Sequence, residues 1–333
     1  MKVLGEKDQV KSVAVIIPCY NCRRYIHQTL VSLEEQTCKD FSVICVNDGS
    51  TDDTPQLLEQ WKEKGSLALE IIHQENRGVS AARNAGIEAA KSEFILFLDS
   101  DDLYHPRYIE AMLTAARDSG ADTVYAPLVR ELETLKDRQV EPKKYLLHEQ
   151  SQVMDNLMLR MGSYGFYCYL YRRKILINQG LRFTEGMRYF EDREFNWKYL
   201  CFCQNAAWFD VPLYGYRRAE GSVMSGKMTW DRAQSGLNGV KSIAQFMQKH
   251  SCAYLPIFRE YLPHRLVWTT LKNCATRGER ELYNRVGREY NAKASMKRLK
   301  KNHSFYVALT ARMYLIAPGL MYHALRVAGQ MSE

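Results

Sequence analysis

The chain has 333 residues, 46% apolar and 25% charged, an ordinary globular composition without repeats or low-complexity tracts, long enough for one large core with an appendage or for two domains. Met1 to Ser12 lacks the apolar centre of a signal peptide, and no run reaches the roughly 18 apolar residues of a membrane span. A cytoplasmic chain that does not cross a membrane is expected. Its nine cysteines are an odd number, scattered, and without paired zinc-ligand spacing, so they read as reduced thiols; the Cys19/Cys22 and Cys201/Cys203 pairs stand alone. The formal charge of +8 is uneven: residues 251–333 hold 14 Lys/Arg against 5 Asp/Glu, which leaves residues 1–250 at −1.

Val13–Ile17 is a continuous apolar run ending at Pro18, the pattern of a strand buried on both faces of a parallel sheet. Tyr25, Ile26, Leu30 and Leu33 recur at helical spacing, and Phe41–Val46 is the next strand. Thr54 reads as an N-cap with Pro55 at the first helical position and Leu57, Leu58 and Trp61 inward. Ile71-Ile72 is a short strand, Ser80–Ala90 a helix of small residues, and Phe94–Leu98 a buried strand that stops at Asp99. Pro106 opens a further helix with Ile109, Met112, Leu113 and Ala116 inward, and Thr123–Tyr125 is strand-like. Strands alternating with helices predict an α/β fold of right-handed βαβ units. Glu131–Glu149 is polar enough for a mobile loop, a helix follows Glu191-Asp192, Trp208–Tyr216 reads as strand, and beyond Asp231 only helical patterns remain.

In an open α/β sheet the loops that leave the carboxyl ends of strands meet at one crevice. Asp99 and Asp101, flanking Ser100 after a buried strand, can direct two carboxylates at one Mg2+ or Mn2+; read alone, the pair is more often an acidic turn or a helix cap. Asp48, with Gly49 behind it, can accept hydrogen bonds from a nucleobase or ribose, although an Asp-Gly turn is commonplace. Gly78 frees the backbone, Ser80 is a candidate cap, and Arg77 or Arg83 can meet a diphosphate. The small residues Ala81, Ala82, Ala85 and Gly86 also fit close helix packing. Together the three segments suit a nucleotide diphosphate and its metal. An oxidoreductase is disfavoured because no G-x-G-x-x-G follows the first strand.

Taken in order, Ile17-Pro18-Cys19-Tyr20-Asn21, Asn47 to Asp52, Asn76 to Gly86, Asp99 to Asp102, Glu191-Asp192 and Tyr216 to Ser222 resemble the inverting family-two glycosyltransferases, over residues 13 to about 225. The resemblance implies a GT-A fold, with a Rossmann-like, mostly parallel sheet flanked by helices. It implies that Pro18, Tyr20, Asn21 and Asp48 hold the nucleoside, usually uridine, that Asp99 and Ser100 lie at the ribose or metal, and that Asp101 is the metal ligand. It makes Asp192 the base and Glu191 its orienting or acceptor-binding neighbour, where a carboxylate pair opening a helix otherwise only favours the macrodipole. Arg217, Arg218 and Ser222 would touch the diphosphate or form a lid. Some relatives carry a metal-ligating histidine in this last stretch, where Ala219 and Glu220 stand here.

The resulting expectation is a catalytic domain over residues 1–230 and a helical region over 231–333. The enzyme would move a sugar from a UDP-sugar to a glycan or lipid-linked glycan of a bacterial surface polysaccharide, with Mn2+ or Mg2+. Its rivals are a sugar nucleotidyltransferase and a non-catalytic glycan- or nucleotide-binding protein. In the tail, Lys293, Lys297, Arg298, Lys300 and Lys301 precede an apolar stretch from Phe305 to Val327. That pattern suits an anionic membrane surface, or helices packed on the catalytic domain or on a second subunit of a homo-oligomer. Nucleic acid is not expected, because no recognition module accompanies the charge.

Overall fold

A computed structural model of the protein describes residues 10–159, 165–217, 227–302 and 304–330. The chain divides into two compact units: Met1–Met187 with Glu191–Glu220, and Arg188–Phe190 with Gly221–Glu333.

In the first unit the strands are β1 (Val13–Cys19), β2 (Phe41–Asp48), β3 (Leu69–Gln74), β4 (Phe94–Phe97), β5 (Leu103–Tyr104), β6 (Thr123–Tyr125), β7 (Leu128–Val129), β8 (Leu146–Glu149), β9 (Tyr169–Arg172), β10 (Asn205–Trp208) and β11 (Tyr214–Gly215). Its helices are α1 (Ile26–Glu34), α2 (Thr54–Lys64), α3 (Val79–Ala89), α4 (Tyr108–Ser119), α5 (Gln150–Leu159), α6 (Arg173–Asn178) and α7 (Glu191–Leu200). The large sheet runs β3-β2-β1-β4-β9-β6-β10-β8, and a small one runs β5-β11-β7. Pairings among β3, β2, β1 and β4 are all parallel, as is β6 with β10. β9 enters antiparallel between β4 and β6, and β8 closes the edge antiparallel to β10. The sheet is mostly parallel and flanked by helices.

β1 is fully buried from Val13 to Cys19, as a central strand covered on both faces must be. Pro18 lies within it, paired in register with Val46. The expected Thr54 cap is displaced by one residue: Asp53 occupies the N-cap, and the Thr54 hydroxyl instead accepts the Cys22 N–H at 2.9 Å. Pro106 precedes α4 rather than opening it, since the helix starts at Tyr108. The single strand expected over 208–216 is two, β10 and β11, which belong to different sheets. The polar 131–149 segment is not a featureless loop: it buries Leu135 and Val140, makes a short 3-10 turn at Leu132–Thr134 and supplies β8.

The second unit is helical: α8 (Trp230–Lys249), α9 (Leu255–Thr276), α10 (Arg280–Glu289), α11 (Ala292–Leu299), α12 (Phe305–Ile316) and α13 (Pro318–Gln330). Its core gathers Trp268, Leu271, Val286, Met296, Tyr314 and Met321 around α9, and the buried Trp268 indole donates to Thr310 Oγ1 at 2.8 Å. Among the described residues no helix is long and apolar enough to cross a membrane.

α3 lies against β1 because Gly86 lets it: a Cβ there would sit 2.3 Å from Ile16 Cγ2. Gly86→Ala should lower the unfolding free energy by about 1–3 kcal/mol, the usual cost of overpacking a filled core, read as a shifted urea midpoint at constant slope.

Candidate active site

The loops after β1, β2 and β4 form the site, and their side chains fix one another before any ligand is considered. Asn21, held at φ 47°, accepts the Thr51 N–H on Oδ1 at 2.8 Å and donates its own N–H to Ser50 Oγ at 3.0 Å, which stitches the first loop to the second. Tyr20 beside it is exposed. Gly49 takes φ +69°, and any Cβ there would meet the Asn76 nitrogen at 2.8 Å. The third loop therefore passes directly over the second. Asp48 holds it there: Oδ1 accepts from Gln74 Nε2 at 2.7 Å and from the Arg77 N–H at 2.9 Å, while Oδ2 accepts the Gly78 N–H at 2.8 Å. This buried carboxylate, expected from the resemblance at the nucleoside, also sets the Arg77–Gly78 loop.

Gly78, not Ser80, is the N-cap of α3; Ser80 lies inside the helix with its hydroxyl buried and without a hydrogen-bond partner among the described residues. The two arginines of this segment part company. Arg77 is exposed and pairs with Glu185 at 2.8 Å, a surface contact that is cheap to exchange for a phosphate. Arg83 is buried, with Nη2 on Asp99 Oδ1 at 2.9 Å and Nη1 on Glu191 Oε1 at 3.3 Å. Its guanidinium lies 4.3 Å from the Phe166 ring centre and 5.2 Å from that of Phe183. Burial alone would loosen its proton, but Asp99, Glu191 and Asp192 outweigh burial and tighten it.

The acidic cluster is crowded. Burial and the Asp99 charge push Asp101 up to about 6. Burial, then Asp99 and Asp101, raise Asp102 well above the carboxylate range. Asp102 serves the scaffold: Oδ2 accepts the Tyr214 hydroxyl at 2.6 Å and Oδ1 the Arg217 N–H at 2.7 Å, binding β11 to the loop. The Arg217 side chain donates Nε to the Asp101 carbonyl at 2.7 Å and Nη2 to Gln28 Oε1 at 2.6 Å, so it borders the acidic cluster. The Ser100 carbonyl accepts from Thr29 Oγ1 at 2.9 Å. Arg218 and Ser222 lie outside the described residues.

Glu191 and Asp192 open α7. Burial and the neighbouring Asp192 push Glu191 up to about 7, against the opposing pull of Arg83. Asp192 Oδ1 accepts the Arg193 N–H at 2.7 Å. Three partners of this region were not picked out as functional from sequence. Asn84 mimics a strand, with Oδ1 on the Phe183 N–H at 2.8 Å and Nδ2 on its carbonyl at 2.9 Å. Glu194, fully buried, accepts from Thr184 Oγ1 at 2.6 Å and Lys198 Nζ at 2.7 Å. Asp102 is the third. Only the Glu194–Lys198 spacing of four was a local signal.

Asp99 and Asp101 offer hard oxygen donors whose mutual repulsion a divalent cation would relieve, so the residues fit Mg2+ or Mn2+. Among the described residues no group of three or more His, Cys, Asp or Glu is placed to hold a metal. Such an ion would need phosphate oxygens and water to complete its shell, the usual condition of Mg2+.

The family model for glycosyl transferase family 2 matches residues 14–180. The chain belongs to glycosyl transferase family 2. This glycosyltransferase is 30% identical to EpsH of Bacillus subtilis (strain 168) over 286 residues, 84% of this chain and 82% of that protein. It is 32% identical to the poly(ribitol-phosphate) beta-N-acetylglucosaminyltransferase TarP of Staphylococcus aureus (strain N315) over 117 residues, 34% of this chain and 36% of that one. Its fold is GT-A, like that of S. aureus TarS 1–349 solved with UDP-GlcNAc: TM-score 0.67 at 20% identity, over 97% of this chain and 92% of that chain. The mannosyltransferase PcManGT of Pyrobaculum calidifontis, solved with GDP-Man and Mn2+, follows at TM-score 0.52 and 17% identity, over 99% of this chain and 89% of that chain. Membership decides for glycosyl rather than nucleotidyl transfer. The Glu191–Asp192 pair lies beyond the matched stretch.

A glutamate pushed up to about 7 still holds a proton that an ordinary one has lost. Loss of that proton adds a negative charge at Glu191, which makes the site more basic. Turnover should therefore rise with pH between about 6 and 8, and Glu191→Gln should flatten the rise in a kcat–pH profile. An inflection that survives the substitution belongs to another group.

Proposed function

We propose that the protein transfers one sugar from a UDP-sugar to a hydroxyl of a glycan or lipid-linked glycan, with inversion at the anomeric carbon. The bridge Asp99–Arg83–Glu191 carries this reading. One buried guanidinium holds an acid of the candidate metal cluster and an acid of the candidate base pair at 2.9 and 3.3 Å. An acid assigned to the diphosphate side and one assigned to the acceptor side thus share one cation, which supports a single displacement.

A sugar hydroxyl ionises far above neutral pH, so a carboxylate that takes its proton as the new C–O bond forms lowers the barrier, typically by about 10²–10⁴-fold. We assign this to Asp192. Glu191 is held by Arg83, which orients the pair and leaves its neighbour to face the acceptor. The acceptor oxygen bonds to the anomeric carbon, the bond from that carbon to the diphosphate breaks on the opposite face, and UDP leaves with the electron pair. The acceptor proton passes to Asp192. Arg77, exposed on a loop pinned by Asp48, is positioned to exchange Glu185 for the diphosphate, and Tyr20 and Asn21 border the nucleoside side. Asp101, with Asp99, would hold a divalent cation that balances the charge of the departing diphosphate. A solved structure of TarS with UDP-GlcNAc supports the uridine donor, and TarP's action on poly(ribitol-phosphate) supports a bacterial surface polymer as the acceptor class. A cytoplasmic enzyme with reduced thiols suits a nucleotide-sugar donor.

A donor screen that follows UDP release, with and without Mn2+, tests the reaction class. Asp192→Asn keeps the shape of the base but cannot take the proton. Transfer should fall by at least about 10²-fold while calorimetric UDP binding stays within a few-fold. Asp101→Ala should fall by a similar factor, about 10², through lost electrostatic stabilisation. Activity retained in Asp192→Asn but lost in Glu191→Gln exchanges the two roles, and an Asp101→Ala enzyme fully active in chelator removes the metal.

A further inference from the structure

α12 is apolar on two faces. Val307, Ala311 and Tyr314 turn into the helical core, as one side of an amphipathic helix should. On the opposite side Phe305, Leu309, Arg312 and Ile316 recur at intervals of four, three and four, and so fall on one line along the helix. Phe305 is 77% exposed, Leu309 42% and Ile316 78%. Single exposed apolar side chains are ordinary on a protein surface; a row of three with no polar alternate but an arginine is not.

A cationic field adjoins that row. Lys297, Arg298, Lys300 and Lys301 are exposed at the end of α11 and in the turn after it, and Arg312 donates Nε to the Lys300 carbonyl at 3.1 Å, which ties the turn to the row. From Tyr290 to Ser332 the sequence has seven Lys/Arg and no Asp or Glu. Arg298 lies 3.9 Å from Glu260, which is itself exposed. A second copy presenting the same stretch would offer these cations no acid to pair with, so charge complementarity favours an anionic partner over a like face. A sheet of negative charge with an apolar layer beneath it meets both halves of the face.

We propose that the α11–α12 face docks in the plane of an anionic lipid surface, with Phe305, Leu309 and Ile316 at the acyl boundary and the lysines at the headgroup phosphates. The inference rests on the helical unit alone and stands whatever reaction the other unit performs.

The full chain, co-sedimented with vesicles of phosphatidylcholine alone or doped with phosphatidylglycerol, should bind only the doped ones, and less as salt rises. Two variants, Phe305→Ser with Ile316→Ser, and Lys297→Gln with Lys300→Gln and Lys301→Gln, should each weaken binding at least about tenfold with circular dichroism unchanged. The substituted side chains are exposed, so the fold should tolerate both. Indifference of the native chain to phosphatidylglycerol would overturn the proposal, as would binding that both variants retain. So would a dimer in sedimentation equilibrium that the serine variant dissociates and doped vesicles do not, which makes the row a contact between copies.

Discussion

Much of the sheet unit depends on the burial of one cation. Arg83 has almost no contact with water, and a guanidinium in that position is tolerable only where its charge is answered on the spot. Two carboxylates and two aromatic faces answer it, and they come from four places in the chain: Asp99 after β4, Glu191 at the start of α7, Phe166 before β9, and Phe183 on the segment that Asn84 clamps to α3. Removing one partner of such a buried set leaves an uncompensated charge, typically worth about 3–5 kcal/mol. The geometry of the candidate site and the stability of the unit are therefore one problem, and Gly86 lets α3 sit deep enough for Arg83 to reach both acids.

The negative charge around this cation exceeds what it can balance. Asp101 and Glu191 both hold their protons more tightly than ordinary acids do, and burial leads the causes for each. Asp102 is resolved by structure, since Tyr214 and the Arg217 amide take its oxygens. Asp101 is left beside Asp99 with an unfavourable charge, a state that binding a divalent cation would improve. Perturbed acids of this kind mark functional sites more often than structural ones. Asp48 lies in a different loop, and its oxygens accept the Arg77 and Gly78 amides and the Gln74 side chain.

In the helical unit the sequence conflicts with its own burial. A helix apolar all round is expected inside a core. α12 instead spends one face on the cluster around Trp268 and leaves the other in solvent beside lysines. Stability of the unit alone explains only the inward face.

The sequence by itself was enough for whatever depends on neighbours along the chain. The apolar runs at Val13–Ile17 and Phe94–Leu98, the helical spacing after Tyr25 and the punctuation by Gly and Asp located β1, β2, β4 and the loops that bear the acids, because periodicity and loop chemistry are local properties. Tertiary structure alone decided which partners each acid meets. The antiparallel insertion of β9 between β4 and β6 has no local signature, since Tyr169–Arg172 pairs with strands some 75 and 46 residues before it. Asp48 became a clamp because Gly49 brings the Asn76 backbone within 2.8 Å of a Cβ position. Arg83 rather than Arg77 went inward because only the former lies on the helix face that meets β1, a placement set by packing across the sheet and not by the identity of the residue.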